Sequence, residues 1–352
     1  MQQYNSVMKL RLFLVAVIVT FGVACSVKTV AVDHEGRPLH SFSVEGRPLQ
    51  NSQFPAVASP TPSPVPSPTP TPVRIFVADQ ATNAIDIFNL TANGNVAPKF
   101  RIAGANTALG TPVGDGFDSS GTLYVLDQNP ANIAEFSPGA HGDPSPAAVV
   151  SGGLTGLQNP QGIAVDPTGI TYVTNSTGGA SYISVYAAGS KGDRAPIATI
   201  FDGQDLLFIP AGIALFKSTL YVADPGDQQI NEYNASAMGT VDPTAVITGL
   251  GNPNGIAVDS LGRIYVTDGD VVSVYAASAR GGATPLRKIS GPLTGLNSPA
   301  GLAIRKSNIF VANRGNASIT VYPLTGTGNI APVRTIIGSN SKLNAPQAIA
   351  LH

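Results

Sequence analysis

Residues 253–268 read PNGIAVDSLGRIYVTD, and this stretch decides the fold. A proline opens a short apolar run that ends at Val258, a turn follows around Gly262, and a second apolar run reads Ile-Tyr-Val. Residues 160–175 repeat the same arrangement. Short β-branched and aromatic runs bounded by Gly, Pro and Asp are typical of antiparallel β-strands.

The arrangement recurs along the chain from residue 74 onward. Each copy has a proline before its first run and an aromatic residue at the end of its third run. The prolines are Pro112, Pro160, Pro210, Pro253, Pro299 and Pro346, and the aromatics are Phe88, Phe136, Tyr186, Tyr233, Tyr275 and Tyr322. Successive prolines are 43–50 residues apart. Four short strands at such a period predict an all-β propeller of four-stranded antiparallel blades.

Side-chain size along each copy supports the propeller over a solenoid or a sandwich. The first run is built from small residues such as Gly, Ala and Val, whereas the second and third runs carry Tyr or Phe. Blades converge at the axis of a propeller and separate toward its rim, so the larger side chains belong on the outer strands. No stretch of the repeats has a helical period.

The two ends of the repeated region give the number of blades. The region begins at Ile75, already in a second run, and it ends with the first run Pro346–Leu351. These fragments complement each other. The sequence therefore predicts a six-bladed propeller over residues 74–352, with the C-terminal strand closing the ring and covering two open sheet edges.

The N-terminal residues 1–24 are typical of an export signal. Lys9 and Arg11 precede an apolar segment that is shorter than a membrane-spanning helix requires. Cys25, the one cysteine of the chain, follows directly and resembles the lipobox of bacterial lipoproteins, in which the thiol receives the lipid. Gly22 departs from the leucine usual in that family. An ordinary signal peptide and an uncleaved anchor are the alternatives.

Residues 25–73 form the predicted tether between this anchor and the propeller. The segment 60–72 alternates Pro with Ser, Thr and Val, which favours polyproline II at about 3.1 Å per residue. The resemblance to lipoproteins implies a protein of the bacterial cell envelope, outside the cytoplasm, in the outer membrane if the cell is Gram-negative. Contact with the membrane is expected through the lipid alone.

Composition excludes several classes of function. The formal charge of −1 with no basic block makes a nucleic-acid binder unexpected. A single cysteine excludes an intrachain disulfide and a cysteine-based zinc site. The four histidines are spread over the tether, one turn and the C-terminus, and no Gly-x-Ser-x-Gly elbow or phosphate loop is present. No catalytic residue, metal ligand or cofactor is predicted, apart from an alternative in which Ca²⁺ binds the propeller.

The pattern Pro-x-Gly-Ile-Ala-Val-Asp, a glycine turn, Ile-Tyr-Val-Thr-Asp and then Ile-x-Val-Tyr resembles the NHL repeat, over residues 74–352. The resemblance implies a propeller, and the family includes lyases, lactonases, receptor ectodomains and RNA binders. Many NHL repeats carry Arg before the third strand. This chain has Ala84, Asn132, Tyr182, Gln229, Val271 and Ser318 there, which removes the basic ring that RNA-binding members would need.

Departures from the repeat supply the candidate site residues. Asp115 stands where the other copies have Ile or Leu, so it is either part of a hydrated channel wall or a binding residue. The longer connection 201–210 brings Asp205, Leu206 and Phe208 as candidates for partner binding, with local packing as the alternative.

A repeated acidic or amide residue ends every second run and has two interpretations. The six residues are Asp79, Asp127, Asn175, Asp224, Asp268 and Asn313. A cation site is one interpretation. Capping of nearby backbone N–H groups is the other, and repetition once per blade favours it.

The sequence thus favours a monomeric, lipid-anchored, non-enzymatic scaffold that binds a protein or a glycan. The alternative is a hydrolase or lyase of lactonase-like type acting in the channel, with Ca²⁺ or Asp115, and the question of enzymatic activity stays open.

Overall fold

The computed structural model describes residues 72–204 and 207–352, and these form an all-β ring of six sheets. The predicted signal peptide, Cys25 and nearly all of the tether lie outside the described residues. Each sheet contains one blade of four antiparallel strands, and one sheet has an additional parallel strand, so the six-bladed propeller is confirmed. Within the described residues, no helix is long and apolar enough to cross a membrane.

In blades 2 to 6 the four blade strands run outward from the axis in chain order, whereas in blade 1 the last strand of the chain is the inner one. The inner strands are β25 (Pro346–Leu351), β4 (Pro112–Phe117), β8 (Pro160–Val165), β12 (Ile213–Phe216), β17 (Pro253–Val258) and β21 (Pro299–Arg305) for blades 1 to 6. The second strands are β1 (Arg74–Asp79), β5 (Leu123–Gln128), β9 (Thr171–Asn175), β13 (Thr219–Asp224), β18 (Ile264–Asp268) and β22 (Asn308–Asn313). The third strands are β2 (Ala84–Asn89), β6 (Ala131–Phe136), β10 (Tyr182–Tyr186), β14 (Gln229–Asn234), β19 (Val271–Tyr275) and β23 (Ser318–Pro323). The outer strands are β3 (Phe100–Ile102), β7 (Ala148–Val150), β11 (Ala198–Asp202), β16 (Ala245–Thr248), β20 (Arg287–Ser290) and β24 (Arg334–Ile336).

Blade 1 is the predicted composite of the two chain ends. Strand β25 pairs antiparallel with β1, with Ile349 opposite Val77 and Leu351 opposite Ile75. Ile349 is buried, whereas Leu351 is half-buried. Because the last strand supplies the inner edge that β1 lacks, the C-terminus closes the ring.

Apolar clusters fill the seams between adjacent blades. One such cluster joins Tyr124 and Leu126 of blade 2 to Ile163 and Val173 of blade 3. The six aromatic residues that end the third strands are buried in these seams, which agrees with the size gradient in the sequence. Both faces of a blade are therefore covered by neighbours, and this explains why its strands lack a regular polar alternation.

The Asp or Asn that ends each second strand is a structural cap, as in the second interpretation above. In blade 2, Asp127 accepts hydrogen bonds from the backbone N–H groups of Gly110 and Thr111. In blade 5, Asp268 accepts hydrogen bonds from the backbone N–H groups of Gly251 and Asn252. These donors lie in the loop that leads into the inner strand of the same blade, so the cap fixes that loop. In blade 4, Asp224 also accepts a hydrogen bond from the backbone N–H of Gly226 in the turn that follows the second strand.

A second ring of contacts joins the blades at their outer rim. In every seam, an outer-strand residue pairs in parallel with a glycine from the turn between the third and fourth strands of the next blade. The pairs are Ile102–Gly142, Val150–Gly192, Ile200–Gly239, Ile247–Gly281, Ile289–Gly328 and Ile336–Gly94. The last pair joins blade 6 to blade 1, so the rim is closed as well as the axis.

Three local features add to the predicted pattern. Strand β15 (Gly239–Val241) extends one of the rim bridges into a fifth, parallel strand on the blade 3 sheet. The inner strand of blade 4 begins at Ile213, three residues after Pro210. Short 3-10 turns occur at η1 (Arg314–Asn316) and η2 (Ser339–Ser341).

Candidate functional site

The axis of the ring contains a cavity of about 130 Å³ that is lined by the inner strands of all six blades. The second, third and fourth residues of the Pro-x-Gly-Ile pattern supply nearly all of its wall. Three of the residues at the second position are polar, namely Gln161, Asn254 and Gln347. Asp115 is the one ionisable residue among the described residues that line this cavity.

Glycines hold the inner strands close together around the cavity. A Cβ atom at Gly255 would overlap the backbone oxygen of Ala300, and one at Gly162 would lie 2.6 Å from the backbone oxygen of Ala211. The backbone N–H of Gly212 donates to the backbone carbonyl of Asn254 across a seam at 3.0 Å. The repeated glycine is therefore required because one inner strand packs directly on the backbone of the next.

Asp115 occupies the position that the sequence predicts, on β4. It pairs with Val125, and in the other five blades the residue opposite the corresponding valine is Ile or Leu. Both carboxylate oxygens of Asp115 are inaccessible to solvent and lack a hydrogen-bond partner within the described residues. The carboxylate therefore lies in the protein interior, and a ligand in the cavity as it stands would not reach its oxygens.

Burial raises the pKa of Asp115 to about 8, and the nearby backbone N–H of Ala350 on β25 offsets part of that effect. Desolvation disfavours the charged form, and no cation in the cavity wall compensates for it. Asp115 is therefore mainly protonated at neutral pH. Its role as a binding residue stays a prediction.

A larger cavity of about 330 Å³, here named the vestibule, opens beside the loops of blades 5 and 6 and the start of the inner strand of blade 1. Its lining includes Asn252, Asn254, Asp270, Ser298, Arg314 and Gln347. Asn254 and Gln347 also line the axial cavity, so the two spaces adjoin. Since Asn254 and Gln347 are half-buried and the other four are exposed, the vestibule has a polar floor and a charged rim.

The two charges of the vestibule are held by different elements. Asp270 lies in the turn between β18 and β19 and accepts a hydrogen bond from the backbone N–H of Ser298 at 2.7 Å. Arg314 begins η1, directly after β22, and its backbone N–H donates to the Ser298 carbonyl at 3.2 Å. The Arg314 guanidinium forms no ion pair with any described residue. Both charged groups are therefore available to a ligand.

The other candidates from the sequence lie elsewhere. Phe208 is 41% exposed, and its backbone N–H donates to Asp224 at 2.7 Å. The neighbouring Ile209 is equally exposed, whereas Leu207 is buried in the seam between blades 3 and 4. Asp205, Leu206 and Cys25 lie outside the described residues. Partner binding at this connection stays a prediction.

Residues 72–204 and 207–352 give little indication of catalysis by histidine or of metal binding. His141 contacts Phe100 in an outer turn, and His352 stacks on Phe117 with ring centroids 4.5 Å apart. No group of three or more His, Cys, Asp or Glu residues in the described part of the chain is arranged to hold a metal ion.

Sequence reasoning missed the vestibule. The available signal was the residue that directly follows the proline of each first run. It is polar in three copies, at Gln161, Asn254 and Gln347, and apolar in the other three. Arg314 likewise follows its second strand as the one cation at that position. Neither signal shows that these residues meet, because their proximity depends on the closed ring.

Comparison with known proteins supports the fold. A family described as "Lactonase, 7-bladed beta-propeller" matches residues 219–349, a part of the chain that contains every residue lining the vestibule but not Asp115. The present ring has six blades, not the seven of that description. No curated protein matches the chain.

Three solved structures share the propeller. A chain of a nidogen/laminin complex is 18% identical with a TM-score of 0.58, and the match covers 79% of this chain and 98% of that one. A protein of unknown function from Bacteroides caccae is 11% identical, with a TM-score of 0.60 and coverage of 80% and 99%. A functionally unknown protein from Desulfotomaculum acetoxidans is 11% identical, with a TM-score of 0.53 and coverage of 79% and 98%. At such identities the likeness is one of fold.

Proposed function

We propose that this protein is a non-enzymatic binding module of the bacterial cell envelope, tethered by lipid on Cys25, that takes its ligand in the vestibule. The observation that carries the proposal is the juxtaposition of Arg314, Asp270, Asn254 and Gln347 from three blades around one open cavity. Ligand sites are concave, and a small number of placed polar groups fixes the orientation of the ligand in them.

The vestibule suits a glycan better than the side chains of a folded protein. Its described lining offers amides, one hydroxyl, one cation and one anion, while its apolar contribution is limited to Pro299, Ala300 and backbone glycine. Protein interfaces are usually anchored by buried aromatic or large aliphatic groups. A hydroxyl-rich ligand can instead pair with both the donors and the acceptors of this cavity.

The test is direct binding by the full-length chain to an array of bacterial glycans, together with capture from envelope extracts. We expect Asn254→Ala to lower glycan binding at least fivefold. Lys191→Ala, an exposed cation in an outer turn, serves as the control and should bind like the parent. Equal binding by the Asn254 variant and the parent would place the ligand elsewhere on the ring.

A hydrolase or lyase of lactonase-like type, with or without Ca²⁺, is the second candidate, and the family match at residues 219–349 favours it. This candidate requires that the full-length chain open a lactone ring at a rate proportional to protein concentration, and that Asn254→Ala reduce this rate. If the rate equals that of buffer alone, with and without added Ca²⁺, the candidate is rejected.

A further inference from the structure

From Arg314 and its surroundings we infer that the vestibule selects an acidic sugar, with the carboxylate of a uronic acid at Arg314 and the sugar hydroxyls at Asp270 and Asn254. This inference rests on the proposed function, because it names the ligand class of the same cavity.

Arg314 accounts for the anionic group of the ligand. It is the one cation among the described residues that line the vestibule, and the Asp270 carboxylate does not neutralise it through an ion pair. Its backbone is fixed at the start of η1, while its side chain is exposed. A guanidinium presents two parallel N–H donors that match a carboxylate, so an anionic group is the natural partner for this position.

Asp270 and the amide side chains of the vestibule account for the hydroxyl groups of the ligand. A carboxylate accepts hydrogen bonds, so the exposed Asp270 can pair with ligand donors such as hydroxyl groups. Asn254 can both donate and accept, which suits vicinal hydroxyls. A ligand with an anion and several hydroxyls on one compact frame satisfies Arg314, Asp270 and the amides together. A uronic acid has these groups, and a cavity of about 330 Å³ is of the size that small ligands occupy.

The test compares two probes that differ at one carbon, methyl β-D-glucuronide and methyl β-D-glucoside, by calorimetry with the full-length protein at low ionic strength. We expect the glucuronide to bind at least tenfold more tightly, and the preference to weaken in high salt. Arg314→Gln should remove most of that preference. Asp270→Asn should lower the affinity for the glucoside, and that for the glucuronide by a smaller factor, because the variant also removes a negative charge from the cavity that receives the glucuronide carboxylate. Lys191→Gln should change neither affinity.

Three results would overturn the inference. Equal affinity for the two probes would leave glycan binding possible but remove the selectivity for acids, so the proposed function would survive. A preference for glucuronide that persists in Arg314→Gln would place the carboxylate elsewhere. An acetylated, amidated di-glutamate peptide that binds more tightly than the glucuronide would identify the ligand as an acidic protein segment.

Discussion

The carboxylate of Asp79 accepts a hydrogen bond from the backbone N–H of Asn344 at 2.7 Å. The same carboxylate accepts another from Ala345 at 3.1 Å. The end of the second strand of blade 1 is thereby tied to the loop that leads into the closing strand β25. In blade 1, unlike the internal blades, this cap joins the two ends of the propeller.

Removal of the closing strand tests how much stability depends on this junction. We expect a chain that ends at Asn344 to melt at least 10 °C lower, or to aggregate. It loses the β1–β25 ladder, exposes the edge of β1 and leaves the site of Ile349 empty. Burial of one aliphatic side chain contributes about 1.5–3 kcal/mol, and a few kcal/mol shift the melting temperature of a domain this large by roughly 10 °C.

Thermal unfolding by circular dichroism measures the effect. Deletion of residues 26–71 from the predicted tether is the control, and we expect it to change the melting temperature by less than 2 °C. A normal melting temperature for the chain that ends at Asn344 would contradict closure by β25.

The sequence is sufficient to predict the blades, their number and their closure because each depends on a repeated local pattern. Ile75 in a second run and Pro346 before a first run are enough to predict the composite blade. The rim bridges are a different case. A single parallel pair such as Ile102–Gly142 leaves no alternating pattern, since one glycine in a turn satisfies it. The vestibule forms because Arg314 of blade 6 and Asn254 of blade 5 line the same cavity, and no local sequence pattern encodes their proximity.

Gly255 and Gly282, both in blade 5, provide a matched test of the packing around the axis. A Cβ atom at Gly255 would overlap the backbone of Ala300, whereas one at Gly282 would meet no atom within 4 Å. We expect Gly255→Ala to lower the free energy of unfolding by about 1–3 kcal/mol or more, because a backbone atom cannot move aside as a flexible side chain would. Gly282→Ala should be neutral or slightly stabilising. Urea denaturation of both variants checks this, and equal stability would mean that the inner strands separate easily.

The lipid anchor is tested by Cys25→Ala. If the thiol receives the lipid, the variant should leave the membrane fraction or accumulate as the unprocessed precursor, and metabolic labelling with a fatty acid should be lost. Cys25→Ser is a closer match in size and should behave in the same way. A variant that fractionates, migrates and labels like the parent would show that the ordinary signal peptide or the uncleaved anchor is correct.

Asp115 predicts how stability depends on pH. Its pKa in the folded protein is raised from 3.8 to about 8, so between these values the folded chain holds a proton that the unfolded chain has lost. The stabilisation from that proton is fully present below about pH 4 and is lost as the pH rises through about 8. In this window the free energy of unfolding falls by up to about 1.4 kcal/mol per pH unit on account of Asp115.

Asp115→Ile places the aliphatic residue of the other blades at this position and removes the titrating group. We expect the variant to gain stability over the parent progressively from pH 5 to pH 8, with no further gain above about pH 9. Asp86 and Asp127 also have a raised pKa, about 6 for each, but they are present in both proteins and cancel in the comparison. Urea denaturation at one-unit pH intervals measures the difference, and Asp242→Asn, an exposed carboxylate, is the control. A difference between parent and Asp115→Ile that does not change with pH would mean that Asp115 is ionised in the folded ring across this range.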